Sequence, residues 1–285
     1  MKHQFIKRTA LFVALAACGI TAQAADWSDT SIGYRYGNNF SEPYTASGIS
    51  KSIINLEHVD GYKYGTNFFN IDMLISDSKD PAGGDPGATG AQEAYVVYRH
   101  MLDLGKVSGK SLAIGPIRGF GLTAGFDWNT KNDEYASKKQ MLVIGPTIMV
   151  DVPGFLNISV LALRESNAPG SIPRYYYDTH TALDVAWGIP IASTGLSFEG
   201  YADYIGAKGL NEYGGATAPE THVDAKLMYD VSPFVGAAKK TFKVGFEYEL
   251  WVNKFGNPST GGSGSFAGAP YATASTPMIR AEYHF

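Results

Sequence analysis

Apolar and polar residues alternate with period two along most of this chain, in short stretches separated by gaps rich in Gly, Pro, Asn, Asp and Ser, and this pattern restricts the fold more than any other feature. In PMIRAEYHF the set Ile279, Ala281, Tyr283 and Phe285 opposes Met278, Arg280, Glu282 and His284. GFGLTAGFDW sets Phe120, Leu122, Ala124, Phe126 and Trp128 against Gly119, Gly121, Thr123, Gly125 and Asp127, and GLSFEGYADY divides in the same way. One face suits hydrocarbon and the other water. Strands are expected near 30–37, 51–59, 67–76, 91–102, 118–128, 139–150, 155–165, 178–188, 195–204, 220–230, 241–252 and 276–285. Short connections such as DVPG alternate with long ones such as NNFSEPYTASG and IGAKGLNEYGGATAPE. These observations predict an all-β fold: a closed antiparallel transmembrane β-barrel of about 12 strands, with short turns on one side and long loops on the other.

A soluble barrel also alternates, but it places its apolar side chains inside and leaves the other face merely solvated. Here the non-apolar face is rich in Gly and in both signs of charge, as a packed polar lumen would be. The outward aromatics also fall near strand ends: Tyr36, Trp128 and Tyr204 at one level, Phe69, Phe120, Trp187, Tyr229, Phe242, Tyr283 and Phe285 at the other. Two such rings match the interfacial girdles of membrane barrels.

The first 24 residues are read as an address. Lys2, Lys7 and Arg8 precede an apolar stretch from Thr9 to Ile20 and the small-residue pattern Ala22-Gln23-Ala24, which predicts a signal peptide over 1–24 and a barrel over 25–285 beginning at Ala25. Leu15-Ala16-Ala17-Cys18 offers a rival lipoprotein cleavage site, and the Ala-Gln-Ala site fits export better. Without Cys18 no thiol chemistry, disulfide or Cys-ligated metal remains. Removing three basic residues takes the formal charge of −4 to −7, which argues against nucleic acid as a partner.

Candidate chemistry is sparse. His222 with Asp224, and His180 with Asp184, share a strand face and could each make a general-base pair, although a lumen ion pair is the simpler reading. No G-x-S-x-G occurs. Asp77, Asp80 and Asp85 could offer oxygen ligands to calcium, but lack EF-hand spacing and read as turn residues. Gly119, Gly121 and Gly125 do not form a dinucleotide fingerprint and are expected to leave room in the lumen. No catalytic set, cofactor or metal is expected.

The lumen is the informative constellation. The alternation turns Glu57, Asp72, Glu93, Asp127, Asp184, Glu199, Asp203, Asp224, Glu247, Glu249 and Glu282 inward, against Arg35, Arg99, Lys226, Lys243 and Arg280. Acids dominate, so anions should be disfavoured. The candidate solute-binding set is Glu93, Tyr95, Arg99, Asp127, Asp184, Glu199, Tyr201, Asp203 and Trp251: aromatic faces for stacking and carboxylates for hydroxyl groups. At the chain end Ile279, Tyr283 and Phe285 form the terminal aromatic alternation expected to engage the outer-membrane assembly machinery.

The stretches ADWSDTSIGYRYGNNF (25–40), GYKYGTNFFNIDMLISDSKDP (61–81), GAQEAYVVYRHMLDLGK (90–106) and GLTAGFDWNTKND (121–133) resemble the Tsx-like outer-membrane channel family, in its outer envelope protein branch. Asp26-Trp27 and the aromatic C-terminus are also shared with its nucleoside-specific channels. The resemblance implies a monomeric twelve-stranded barrel with a narrow, keyhole-shaped pore in a Gram-negative outer membrane. Its partners would be outer-membrane lipid and small neutral solutes such as nucleosides. A barrel enzyme, either a protease or a lipid hydrolase, is the alternative of a different class, beside a general porin or a structural receptor barrel.

Overall fold

A computed structural model describes residues 25–83, 89–259 and 268–285; the expected export segment, Cys18 and Asp85 lie outside the described residues. The alternating stretches form β1 (Trp27–Glu42), β2 (Ala46–Tyr62), β3 (Gly65–Ser76), β4 (Gln92–Asp103), β5 (Ile117–Lys131) and β6 (Gln140–Val150). They continue as β7 (Phe155–Asn167), the two-residue β8 (Tyr175–Tyr176), β9 (His180–Ile191), β10 (Leu196–Ile205), β11 (Glu220–Asp230), β12 (Phe242–Val252) and β13 (Thr273–His284). Consecutive wall strands pair antiparallel, and β1 pairs with β13, so the ladder returns on itself. Because β8 only adds to the end of β7, the closed wall has twelve strands. Closure leaves no strand edge bare, which is what backbone N–H and C=O groups require in hydrocarbon.

The side chains follow the pleat. Ile32, Tyr34, Ile54, Leu142, Ile144, Phe246 and Ile279 face out and are exposed, while Asn55, Thr147, Glu247 and Arg280 on the opposite face are buried. Trp128 and Tyr204 stand outward toward the long-loop end; Phe242 and Tyr283 pack at 5.0 Å at the end where the chain termini meet. An apolar exterior around a polar interior is the arrangement of a barrel that crosses a bilayer. Turns at the terminal end are mostly short, as at 63–64, 151–154 and 192–195, whereas the connections 168–179 and 206–219 at the other end are long. The longer 104–116 connection at the terminal end carries a single helical turn, α1 (Leu104–Ser108), capped by Asp103, which accepts from the amides of Gly105 and Lys106.

Two features depart from the expectation. The 38–48 segment is not a long loop: β1 runs to Glu42 and β2 starts at Ala46. Phe40 and Ile49 turn inward and bury themselves with Ile53 and Met278, so apolar burial favours continued pairing. A bulge between Gly37 and Ser41 re-aims Phe40 to reach that cluster. Secondly, the lumen is not polar throughout. Over 141–143 of β6 and 161–163 of β7 both faces are apolar, and Met141, Val143, Leu161 and Leu163 pack with Ala182 inside the barrel, while Thr147 and Ser159 keep the inner face polar further along. That side of the wall is thickened inward, which displaces the polar path toward β3, β4, β9 and β10, whose inner faces are half-exposed.

One inward glycine has a positioning task. A Cβ at Gly125 would lie 2.0 Å from the Tyr98 carbonyl oxygen and 3.0 Å from Arg99 Cδ, so only a bare α-carbon lets the Arg99 side chain run along the wall there.

Candidate functional site in the lumen

At the long-loop end the lumen holds a buried network of alternating charge. Lys51 lies 2.5 Å from Glu42 and 3.7 Å from Asp80; Lys131 lies 3.0 Å from both Asp80 and Asp133; and Lys254 lies 3.2 Å from Glu42. Lys208 reaches Glu165 at 2.8 Å and sits 4.5 Å from the Tyr177 ring centre. None of these lysines belongs to the set expected from the sequence. Parity could have found two of them, because Lys51 shares a face with Asn55 and Lys131 with Asp127. Lys208 and Lys254 stand outside the strands, where alternation gives no information. These lysines add cations that the list of inward residues did not contain, and the outer end of the lumen is closely neutralised.

The loops above this network are tied together. Glu212, in the 206–219 connection, accepts hydrogen bonds from Tyr135 Oη of the 132–139 connection and, at 2.8 Å, from Tyr177 Oη of the 168–179 connection. Burial and the adjoining Glu212 carboxylate push both phenols above the ordinary tyrosine range. Both tyrosine donors therefore keep their protons across neutral pH.

Deeper in, the expected solute-binding residues separate into three groups instead of one site. On β4 and β5, Arg99 Nη1 donates to Asp127 Oδ1 at 2.5 Å and to the Tyr98 carbonyl at 3.0 Å, and Tyr95 Oη donates to Asp127 Oδ2 at 3.1 Å. Arg99 also lies close enough to Asp184 and Asp203 to attract both, and those two carboxylates face each other directly across the β9–β10 ladder. Glu93 stands further out, accepting from Asn129 Nδ2. The second group is aromatic: Tyr201 meets His222 edge-on at 5.1 Å, and His222 stacks on Trp251 at 3.9 Å with planes 10° apart. Glu199 falls in a third, drawn toward the terminal end by Lys226 at 3.3 Å and Lys243 at 3.4 Å.

Two of the expected stacking faces are already covered. Trp251 is held between His222 and Lys254, whose Nζ lies 4.9 Å from the ring centre, and its Nε1 donates to Glu220 at 3.1 Å. Lys139 Nζ lies 5.6 Å from the Tyr95 ring centre and donates to its hydroxyl at 3.3 Å. Tyr201, whose hydroxyl meets His222 Nε2 at 3.3 Å, has no such cation over it among the described residues.

The acid–base pairs considered from sequence are not formed. His222 faces Glu249 at 3.7 Å in place of Asp224, and His180 Nδ1 bonds the Asp178 carbonyl at 2.9 Å instead of Asp184. In the suggested calcium loop Asp80 accepts from Ser76 at 2.7 Å and pairs with Lys131, while Asp77 accepts from the Ser50 and Lys79 amides, as in a turn. No group of three or more metal-binding side chains occurs among the described residues.

No family model and no curated protein matches this chain. Among solved structures, it is similar to the KdgM porin (TM-score 0.43, 10% identity, covering 90% of this chain and 99% of that one). It is also similar to the translocator domain of the autotransporter NalP from Neisseria meningitidis (TM-score 0.42, 12% identity, covering 99% and 96%). OmpF of Salmonella typhi, solved with daunomycin, aligns with a TM-score of 0.36 at 10% identity over 91% of this chain and 97% of that one.

Proposed function

We propose that this protein is an outer-membrane channel for passive passage of small neutral or cationic solutes, nucleosides among them, and that it belongs with the Tsx-like channels its sequence resembles. The observation that carries this reading is the two half-exposed inner faces of β3–β4 and β9–β10, which flank the apolar thickening on β6 and β7 and leave a polar path beside it. The acids of those faces disfavour phosphate-bearing solutes, and a conducting site must bind weakly enough to release its cargo. Tyr201 supplies an aromatic ring beside carboxylates. Base–aromatic stacking worth about 1 to 3 kcal/mol corresponds to millimolar affinity at most once ordering costs are subtracted. Of the two candidate histidines, His180 bonds a main-chain carbonyl, and His222 stacks on Trp251 and lies 3.7 Å from Glu249.

Planar-bilayer recordings test the proposal. The expected result is a cation-preferring conductance that adenosine reduces and adenosine monophosphate does not, with the adenosine effect weakened in Tyr201→Ala. Equal liposome-swelling rates for nucleosides and size-matched sugars, in wild type and variant alike, would leave a general porin and remove the nucleoside preference.

A further inference from the structure

In the middle of the lumen more carboxyl groups stand together than there are cations in short contact with them, and Asp224 lies against the carboxyl of Glu247. Asp224 on β11 stands directly between Tyr201 on β10 and Glu249 on β12 in the ladder, and all three face inward. Asp224 is 7% exposed, and Glu249 Oε1 is a buried oxygen with no hydrogen-bond partner. The neighbouring guanidiniums make their short contacts elsewhere, Arg35 to Asp72 at 2.6 Å and Glu247 at 3.1 Å, and Arg280 to Glu247 at 2.8 Å and Glu282 at 2.6 Å, although Arg35 also lies close enough to attract Asp224 and Glu249. The nearest lysines on this wall are also drawn away, Lys226 to Glu282 and Glu199 and Lys254 to Glu42. His222 touches Glu249 only at 3.7 Å.

We propose that this place, between the Tyr201 ring and the carboxylates of Asp224 and Glu249, is a binding station for a protonated primary amine crossing the lumen. The proposal deepens the channel reading and rests on it. An ammonium group carries three donors and no acceptor, so it can satisfy Glu249 Oε1 and Asp224 together while lying against an aromatic face. A neutral hydroxyl brings no charge to offset the excess, and an anion would add to it. Asp203, on the same face of β10 as Tyr201 and close enough to interact with it, offers a carboxylate to a second ammonium, which favours diamines. The outer end of the lumen shows the same chemistry in use: Lys208 and Lys254 each place an ammonium over an aromatic ring beside a carboxylate.

The test uses 1,4-diaminobutane, with 1,4-butanediol as the neutral control, on the folded barrel. Titration calorimetry in detergent should show saturable binding of the diamine and none of the diol, and in bilayers the diamine alone should reduce conductance. Glu249→Gln removes the charge but keeps the shape, and should weaken the diamine affinity roughly tenfold, the loss expected of one charge-assisted hydrogen bond; Asp224→Asn should act in the same direction. Heat-modifiable gel mobility identifies variants that have folded, and Glu249→Gln carries the test if Asp224→Asn does not fold. Equal binding of diol and diamine, or a diamine affinity unchanged in folded Glu249→Gln, overturns the station. A barrel that binds the diamine but passes no current overturns the channel reading and leaves the station standing.

Discussion

Arg280→Met is the perturbation that most directly asks whether the lumen network is protein interior or wetted surface. Arg280 donates through Nη1 to Glu247 at 2.8 Å, through Nε to Glu282 at 2.6 Å and through Nη2 to Asn55 at 3.2 Å, and it is 5% exposed. Methionine fills most of the volume and removes all three bonds. Stripping one partner from a buried pair costs about 3 to 5 kcal/mol, mostly because the surviving charge is left in a poor solvent. Here part of that cost is offset, since Glu247 keeps Arg35 at 3.1 Å and Glu282 keeps Lys226 at 3.1 Å. The expected loss is therefore near the lower figure, about 3 kcal/mol. Urea unfolding of the barrel in phosphatidylcholine vesicles, followed by tryptophan fluorescence, measures it. Glu247→Gln should cost less in the Arg280→Met background than in the wild type, because the bond between the two residues is already gone, a coupling that contact between them requires. A loss below about 1 kcal/mol, the range of exposed ion pairs, would show that lumen water screens the network and would refute the burial argument.

Two further perturbations concern other parts of the chain. Phe285→Asp should reduce the folded outer-membrane population far more than Phe285→Tyr, read by heat-modifiable gel mobility; a rim charge costs only about 0 to 1 kcal/mol, so a large loss would point to recognition by the assembly machinery, and equal folding of the two variants would dismiss it. Glu212→Gln should leave the wall intact but loosen the connections joined through Tyr135 and Tyr177, seen as faster proteolysis within 206–219 on whole cells; unchanged cleavage would mean that the three loops are held by other contacts.

The wall was legible in the sequence because its physics is local. Period-two alternation is dictated by the pleat and needs no knowledge of the partner strand, so all twelve strands were placed from residue order. The misjudged 38–48 segment has turn-forming Asn38 and Asn39 at its start, Pro43 at its centre and Gly48 at its end, and what overrides them is burial of Phe40 against Met278, more than two hundred residues away. The apolar filling behind β6 and β7 was hidden for a related reason: a run such as MLVIGPTIMV does not distinguish a strand with two apolar faces from a poorly alternating one. The candidate site was legible as a list of inward residues and not as a geometry. Facing could be read for Tyr95, Tyr201 and Trp251, but not that two of those rings are covered, by Lys139 at the very start of the strand expected over 139–150 and by Lys254 in a connection where periodicity is silent.

The β1–β13 seam has a kinetic meaning. It joins Ser31 to His284 and sets Thr30 beside Phe285, so its contacts span nearly the whole length of the wall, whereas every other wall ladder joins wall strands that follow one another along the chain. Hairpins of neighbouring strands can form early at small entropic cost, but the seam gains nothing until both ends of the sheet have been brought round to each other. Until then β1 and β13 are open edges, each a template for any extended segment nearby. The charge network beside the seam, in which Arg35 on β1 meets Glu247 on β12 at 3.1 Å, is completed only when the two edges engage. Closing the barrel and neutralising that part of its lumen are thus a single event.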